Sequence, residues 1–377
     1  MAFEHYIRSG QKYLRCGYTT GTCAALASAA AARLLLTGVP PEAVSLRTPK
    51  GIMVEVPLSR LHMEGCAAIA AVIKDAGDDA DVTDGYEIAA TVTLMDRGIS
   101  IDGGRGVGRV TRPGLDQPVG NAAINRVPRE MIASALRAEC EKAGYEGGLC
   151  VTISVPRGEE LARHTFNPVL GIEGGISILG TSGIVEPMSD QAIVDTIAVE
   201  TRQAKASGAR HLLLTPGNYG LDFLSAHGLD QSGVPCVKYS NFIGDALDIA
   251  AAEGFSSVLL VGHIGKLVKL AGGIMNTHSR WADCRMELLC VQAAVRGGGQ
   301  SLCQRILSAA TTDAALALLE EAGLREPVIG GLMAAIQTHL DRRVRGTYQV
   351  GAMMFSNKYG LLGQTDTVEG IMNQWKL

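Results

Sequence analysis

From Met188 onward the chain alternates helix-like and strand-like segments, and this rhythm constrains its fold more than any other feature. A helical pattern runs from Asp190 to about Ser207, followed by strand-like His211 to Leu214 and Val234 to Val237. A helix from Phe242 to Glu253, a strand from Ser257 to Val261 and a helix after Gly265 come next. Strands separated by helices pair in parallel through crossovers that cover the sheet faces. The expected fold is therefore a doubly wound, mostly parallel sheet. Residues 281 to 340 add amphipathic helices, and the apolar run Val350 to Phe355 adds a last strand.

Each predicted strand ends in a cluster of small and polar residues. The apolar run Ile176 to Leu179 stops at Gly180, Thr181, Ser182 and Gly183. Later strands stop at Thr215, Gly217, Asn218, Tyr219 and Gly220, then at Ser240 and Asn241, then at Gly262, His263, Gly265 and Lys266. Ligands of open α/β sheets bind beyond the carboxyl ends of the strands, so four such clusters predict one crevice. Turns that need glycine for geometry alone are the plain alternative.

The first part of the chain has a different pattern. Thr19, Thr20 and Thr22 precede an alanine-rich helix that Gly38 and Pro40 stop. Its start would offer N–H groups and a positive dipole end to an anion, unless it is an ordinary capped core helix. Strand-like Val44 to Leu46, Ile52 to Pro57 and Tyr86 to Leu94, a helix over 129 to 143 and a strand over 149 to 155 complete an α+β pattern. At 377 residues the chain is long for one core. The division falls near residues 156 to 165, with an α+β domain over 1–160 and an α/β domain over 161–377.

Composition excludes several classes. Apolar residues make up 47% and charged residues 19%, against disorder. The nine cysteines form no CxxC pair, which favours reduced thiols and a cytoplasmic setting. The Cys23 to Leu36 helix contains Arg33 and is short for a membrane span. A net charge of −4 without a basic run argues against nucleic acid as a partner.

Near-motifs fail on inspection. Gly103 to Gly108 resembles a dinucleotide fingerprint, but Arg109 takes its last glycine position and a strand-like stretch follows. Arg105, Arg109 and Arg112 could still clamp carboxylates. The acidic run from Lys74 to Gly85 misses the register of a calcium loop, since Asp84 stands where glycine is needed and Ala90 where glutamate is. Its packed carboxylates could accept a proton or form a solvated loop. Gly265-Lys266 lacks the first glycine of a phosphate-binding loop, and Ile184 breaks the nucleophile-elbow spacing around Ser182.

Taken together, GYTTGTCAA, VIKDAGDDADVTDG, GVGRVTRPGL, INRVPREM, SVPRGEELARHTFNPVLGIEGGISILGTSGIVEPMS, TPGNYG, YSNFIGDALD and VGHIGKLVKLAGGIMNTHSRWADCRMELL resemble the cobalt-precorrin-5B C-1 methyltransferase family of anaerobic cobalamin synthesis. The chain departs from that pattern at Arg105, where an acidic residue is frequent, and over Asn121 to Ile124. The resemblance implies methyl transfer from S-adenosylmethionine to C-1 of a cobalt tetrapyrrole, with cobalt in the substrate and no metal held by the protein. Given that reaction, the residues themselves suggest the roles: the four strand-end clusters are expected to hold the donor, Thr19, Thr20, Thr22, Lys74, Arg109 and Arg112 the tetrapyrrole's carboxylates, and Asp75, Asp78 and Asp79 are candidate proton acceptors. No membrane partner is expected, and a homo-oligomer is left open. A tetrapyrrole or nucleotide carrier is the alternative from another class, and a nicotinamide-dependent reductase is a second enzymatic one.

Overall fold

The computed structural model describes residues 3–9, 11–168, 170–226 and 233–375. It contains two compact units, Met1–Ser189 and Asp190–Leu377, so residues 161–189, expected to open the second domain, pack with the first.

The first unit begins with β1 (Tyr6–Ser9), β2 (Lys12–Arg15), β3 (Gly17–Tyr18) and helix α1 (Thr20–Thr37). Then come β4 (Ala43–Arg47), β5 (Met53–Pro57), β6 (Arg60–Glu64), β7 (Ala67–Ile73) and β8 (Glu87–Met95). β9 (Ile99–Gly103), β10 (Gly106–Val107), β11 (Arg109–Val110), α2 (Arg126–Ala143) and β12 (Gly148–Ser154) follow. α3 (Gly158–Ala162), β13 (Ile172–Glu173), β14 (Gly175–Ile176) and β15 (Ile184–Val185) close it.

Its main sheet has the order β6-β7-β8-β12-β9, antiparallel throughout except for the parallel β12–β9 pair. Register matches buried residues with buried residues: Ala68 opposes Val92, Ala70 opposes Ala90 and Val72 opposes Ile88. Helix α1 packs on β7 and β8 and against α2, so its alanines are buried on every side. The Thr19 hydroxyl caps its start, and Gly38, in the left-handed region, closes its end on the Leu34 carbonyl. By length and composition α1 could cross a membrane, but 78% of it lies inside this unit.

The second unit runs α4 (Asp190–Ala206), β16 (His211–Thr215), α5 (Asn218–Ala226), β17 (Cys236–Lys238), α6 (Ile243–Ala252) and β18 (Ser257–His263). One-turn α7 (Ile264–Leu267) and a 3-10 turn lead to α8 (Arg285–Val295), α9 (Gln300–Leu307), α10 (Thr312–Glu321) and α11 (Arg325–Val344). β19 (Gln349–Ser356), β20 (Gly360–Gln364) and α12 (Val368–Trp375) complete it. The sheet order is β17-β16-β18-β19-β20, with the first four strands parallel and β20 antiparallel. On one face Leu212, Leu214, Val258, Leu260, Val350 and Ala352 join a core with Leu247, Leu289, Leu316 and Leu332. On the other, Leu213, Leu259, Val261 and Phe355 pack with Phe223, Leu224, Val368 and Ile371. Both faces being covered accounts for the apolar character of β16 and β18.

The run Ile176 to Leu179 is a correction to the sequence expectation. Only Gly175–Ile176 forms a strand, paired with Gly106–Val107 in the first unit, and Ile178 bridges Ile124. Ile176 to Ile178 are buried within the first unit and not in the parallel sheet, and Leu179 is 49% exposed.

Candidate functional site

Three of the four strand-end clusters converge in the second unit. The parallel register sets Leu214 of β16 between Val237 of β17 and Leu260 of β18, so the chain leaves all three strands at one edge of the sheet. Beyond β16, buried Thr215 donates from its hydroxyl to the Gly217 carbonyl at 3.4 Å, and its own carbonyl accepts the Tyr239 N–H at 2.9 Å. A Cβ at Gly220 would sit 1.6 Å from Thr215 Oγ1, so only glycine lets α5 start this close to the strand end. At Gly217 an added Cβ would meet nothing within 4 Å, which leaves that backbone open to an incoming molecule. Tyr219 is exposed at the same edge, and Asn218 Oδ1 accepts from Lys238 Nζ at 2.9 Å.

Beyond β17, Ser240 takes φ 54°, a left-handed conformation that a non-glycine residue adopts only at a cost. Its carbonyl accepts from Lys266 Nζ at 2.9 Å. Asn241 is held by Thr277, whose hydroxyl donates to Asn241 Oδ1 at 3.2 Å and whose N–H donates to the Asn241 carbonyl at 3.0 Å.

Beyond β18, His263 caps α7, and its Nδ1 accepts the Gly265 N–H at 3.1 Å. The proton of the neutral ring therefore sits on Nε2. The ring meets Phe355 edge-on at 5.7 Å, and burial pulls its pKa below the usual histidine range, partly offset by Asp313. Burial, reinforced by the positive charge of Lys269, likewise lowers the Lys266 ammonium. Lys269 is 3% exposed and donates to the Thr277 and Ala282 carbonyls at 3.0 and 2.9 Å. Sequence reasoning missed Lys269, Thr277 and Lys238, although the three-residue spacing of Lys266 and Lys269 puts both on one helical face.

The fourth cluster lies in the first unit. Gly180, Thr181, Ser182 and Gly183 wrap the start of α1. The Gly183 carbonyl accepts the Thr19 N–H at 3.1 Å and the Thr22 hydroxyl at 2.7 Å, and the Leu179 carbonyl accepts the Gly21 N–H at 3.0 Å. Gly180, at φ 127°, has the Thr19 side chain 2.4 Å from where a Cβ would be. The Ser182 hydroxyl donates to the Ile184 carbonyl at 2.9 Å. This loop therefore packs within the first unit, on the start of α1.

The expected anion site at Thr19, Thr20 and Thr22 is closed by the same contacts. All three threonines are buried, and the Thr20 hydroxyl donates to the Leu179 carbonyl at 3.3 Å. Thr19 Oγ1 accepts the Thr22 N–H at 3.2 Å, so the helix start is capped by its own protein.

The acidic loop forms a network of internal contacts. Asp75 takes both guanidinium nitrogens of Arg15 at 2.6 and 2.8 Å and also the Gly77 N–H at 2.8 Å. Burial pushes its pKa up, but these bonds outweigh it and hold the carboxyl below the usual range. Asp78 accepts the Arg15 N–H at 2.7 Å, and Asp79 accepts the Met188 N–H at 3.3 Å. Lys74, expected at the substrate, is 1% exposed and pairs with Asp81 at 3.1 Å. Arg109 is exposed and donates to Asp102 Oδ2 at 2.9 Å and the Gly103 carbonyl at 3.0 Å. The stem of Arg112 packs under Gly171. Arg105 lines an open cleft of about 270 Å³ with Arg157, Glu159, Glu160 and Arg163.

Comparison with known proteins agrees with the motifs. The sequence profile of the CbiD family matches residues 7–187, and that of the CbiD C-terminal domain matches residues 276–366. The Cobalt-precorrin-5B C(1)-methyltransferase of Ruminiclostridium cellulolyticum is 46% identical over 94% of this chain and 92% of its own length. The protein of the same name from Tolumonas auensis is 42% identical over 98% of this chain and 99% of its own. A crystal structure of the cobalamin biosynthesis protein (cbiD) from Archaeoglobus fulgidus shares 31% identity, covers 78% of this chain and 88% of that one, and has a TM-score of 0.40.

Proposed function

The chain belongs to the CbiD family of cobalt-precorrin-5B C(1)-methyltransferases, and from that premise we propose that it moves a methyl group from S-adenosylmethionine to C-1 of cobalt-precorrin-5B, yielding cobalt-precorrin-6A in anaerobic cobalamin biosynthesis. The observation that carries this reading is 46% identity to a methyltransferase of that name across 94% of the chain. The setting is cytoplasmic, and the cobalt belongs to the substrate.

We read the parallel sheet as doubly wound. Its order changes direction between β16 and β18, because the chain passes from β16 outward to β17 and from β18 outward to β19 on the other side. Such a switch point opens a crevice at the strand ends, and the Thr215 to Gly220 and His263 to Lys266 loops flank it. We place the donor there because the backbone at Gly217 is open and the Lys266 ammonium donates to a neutral carbonyl, with no carboxylate paired to it among the described residues.

Bound in the crevice, the donor supplies an electrophilic methyl on a sulfonium whose charge disappears on transfer. The protein's task is then to hold two reactants in line and exclude water, which carries much of the barrier in such reactions. In the first unit Arg109, whose side chain is 46% exposed, and Arg112 are our candidates for the tetrapyrrole's carboxylate arms. Asp75, Asp78 and Asp79 serve the scaffold on this account, since each accepts hydrogen bonds from its own chain.

A nicotinamide-dependent reductase is disfavoured because the glycine-rich Gly103 to Gly108 stretch spans two short strands and opens no helix. A carrier would bind the tetrapyrrole alone. Calorimetric titration with S-adenosylmethionine separates the readings: saturable one-site binding supports the transferase, and no binding supports the carrier.

A further inference from the structure

Lys266 stands in the crevice with its charge uncompensated. Its side chain is half-buried, its Nζ donates to the Ser240 carbonyl at 2.9 Å, and no carboxylate lies within 4.0 Å of it among the described residues. The two fully buried lysines among the described residues each have an acid near them: Lys74 has Asp81 at 3.1 Å, and Lys269 has Asp283 at 3.9 Å. A neutral carbonyl satisfies one of the three ammonium protons and none of the charge. Removing a cation from water without a counter-ion is unfavourable, and Lys269 adds like-charge repulsion. An anion arriving with a ligand would relieve both.

We propose that Lys266 binds the carboxylate of the donor's methionine moiety. This rests on the assignment of the crevice to the donor. Lys266 follows His263 by three residues, and the His263 Nδ1 accepts the Gly265 N–H, so the ring's remaining donor is its Nε2–H at the end of β18. A cation at the amino-acid end also keeps positive charge away from the sulfonium, provided the donor enters with that end against α7. A carboxylate could equally come from an arm of the tetrapyrrole. A macrocycle spreads its carboxylates around a wide rim and calls for cations dispersed over a broad face, whereas Lys266 sits at the end of a strand among closely spaced loops.

The test is calorimetric titration of the wild type, Lys266→Met and Lys266→Arg with S-adenosylmethionine and with its decarboxylated analogue, which keeps the sulfonium and the amine. Wild type should prefer S-adenosylmethionine by roughly tenfold or more, the scale of a charge-assisted contact. Lys266→Met should lose that preference by weakening S-adenosylmethionine alone, and Lys266→Arg should keep part of it. The inference is overturned if wild type binds both ligands equally, if Lys266→Met weakens both alike, or if the substitution raises only the KM for the tetrapyrrole. Wild type that binds neither ligand overturns the donor site itself, a different result from binding without discrimination.

Discussion

Lys74 Nζ lies 3.1 Å from Asp81 Oδ2, with the lysine side chain 1% exposed and the aspartate 26%. This pair joins the end of β7 to the acidic loop. Asp81 also accepts from the Thr83 hydroxyl and N–H at 2.7 and 2.8 Å.

Breaking a buried pair on one side is expected to cost far more than replacing it. Asp81→Asn leaves an uncompensated ammonium in the core and should destabilise the chain by about 3–5 kcal/mol. Lys74→Met leaves a carboxylate that can turn to solvent and should cost markedly less. Urea unfolding of both variants decides this, and equal losses would contradict the ordering. Burial raises the Asp81 pKa, but Lys74 and the Thr83 bonds outweigh it, so the folded value lies below the ordinary carboxylate value. The pair's contribution is therefore complete above about pH 3.9 and is lost as pH falls through the lower folded pKa. Wild-type stability should fall in that acid window, and Asp81→Asn should fall less.

The acidic loop should matter for stability more than for turnover. Asp75→Asn breaks the bidentate Arg15 contact, a loss of roughly 1–3 kcal/mol. Asp75→Asn, Asp78→Asn and Asp79→Asn should each retain more than about a third of wild-type turnover at saturating donor, whereas loss of a general base costs about a hundredfold or more. A hundredfold drop in any of the three would restore that residue as a proton acceptor.

Two glycines separate fold from site. Gly180→Val places a branched side chain against Thr19 at φ 127° and should lower the melting temperature of the first unit. Gly217→Val meets open space and should leave the melting temperature unchanged while weakening donor binding at least tenfold, a loss of about 1.4 kcal/mol. Unchanged donor affinity in Gly217→Val would remove the Thr215 to Gly220 loop from the site.

The parallel sheet was legible because Leu212 to Leu214 and Val258 to Val261 are apolar runs bounded by helical patterns, as strands covered on both faces must be. Strand β7 was not, since Ala67 to Ile73 is alanine-rich and owes its conformation to packing Ala68, Ala70 and Val72 under α1. Ile176 to Leu179 misled for the converse reason. The burial of Ile176 to Ile178 comes from a loop pinned by Thr20 and bridged to Ile124, and burial alone does not distinguish loop from strand. The loops after β16, β17 and β18 could be placed from the strands before them. Gly180 to Gly183 could not, because glycine accommodates a neighbouring threonine and a bound ligand with the same sequence signature.

Methyl transfer to one carbon of one substrate can be followed directly. Incubating the protein with S-adenosylmethionine labelled with carbon-13 in the methyl group and with enzymatically made cobalt-precorrin-5B, then locating the label by NMR, tests it directly. The expected result is a single new labelled methyl attached to C-1, formed once per substrate molecule and about tenfold or more slower when Gly217→Val replaces the wild type at limiting donor. Label at any other ring carbon, or no transfer by a chain that binds both ligands, would contradict it.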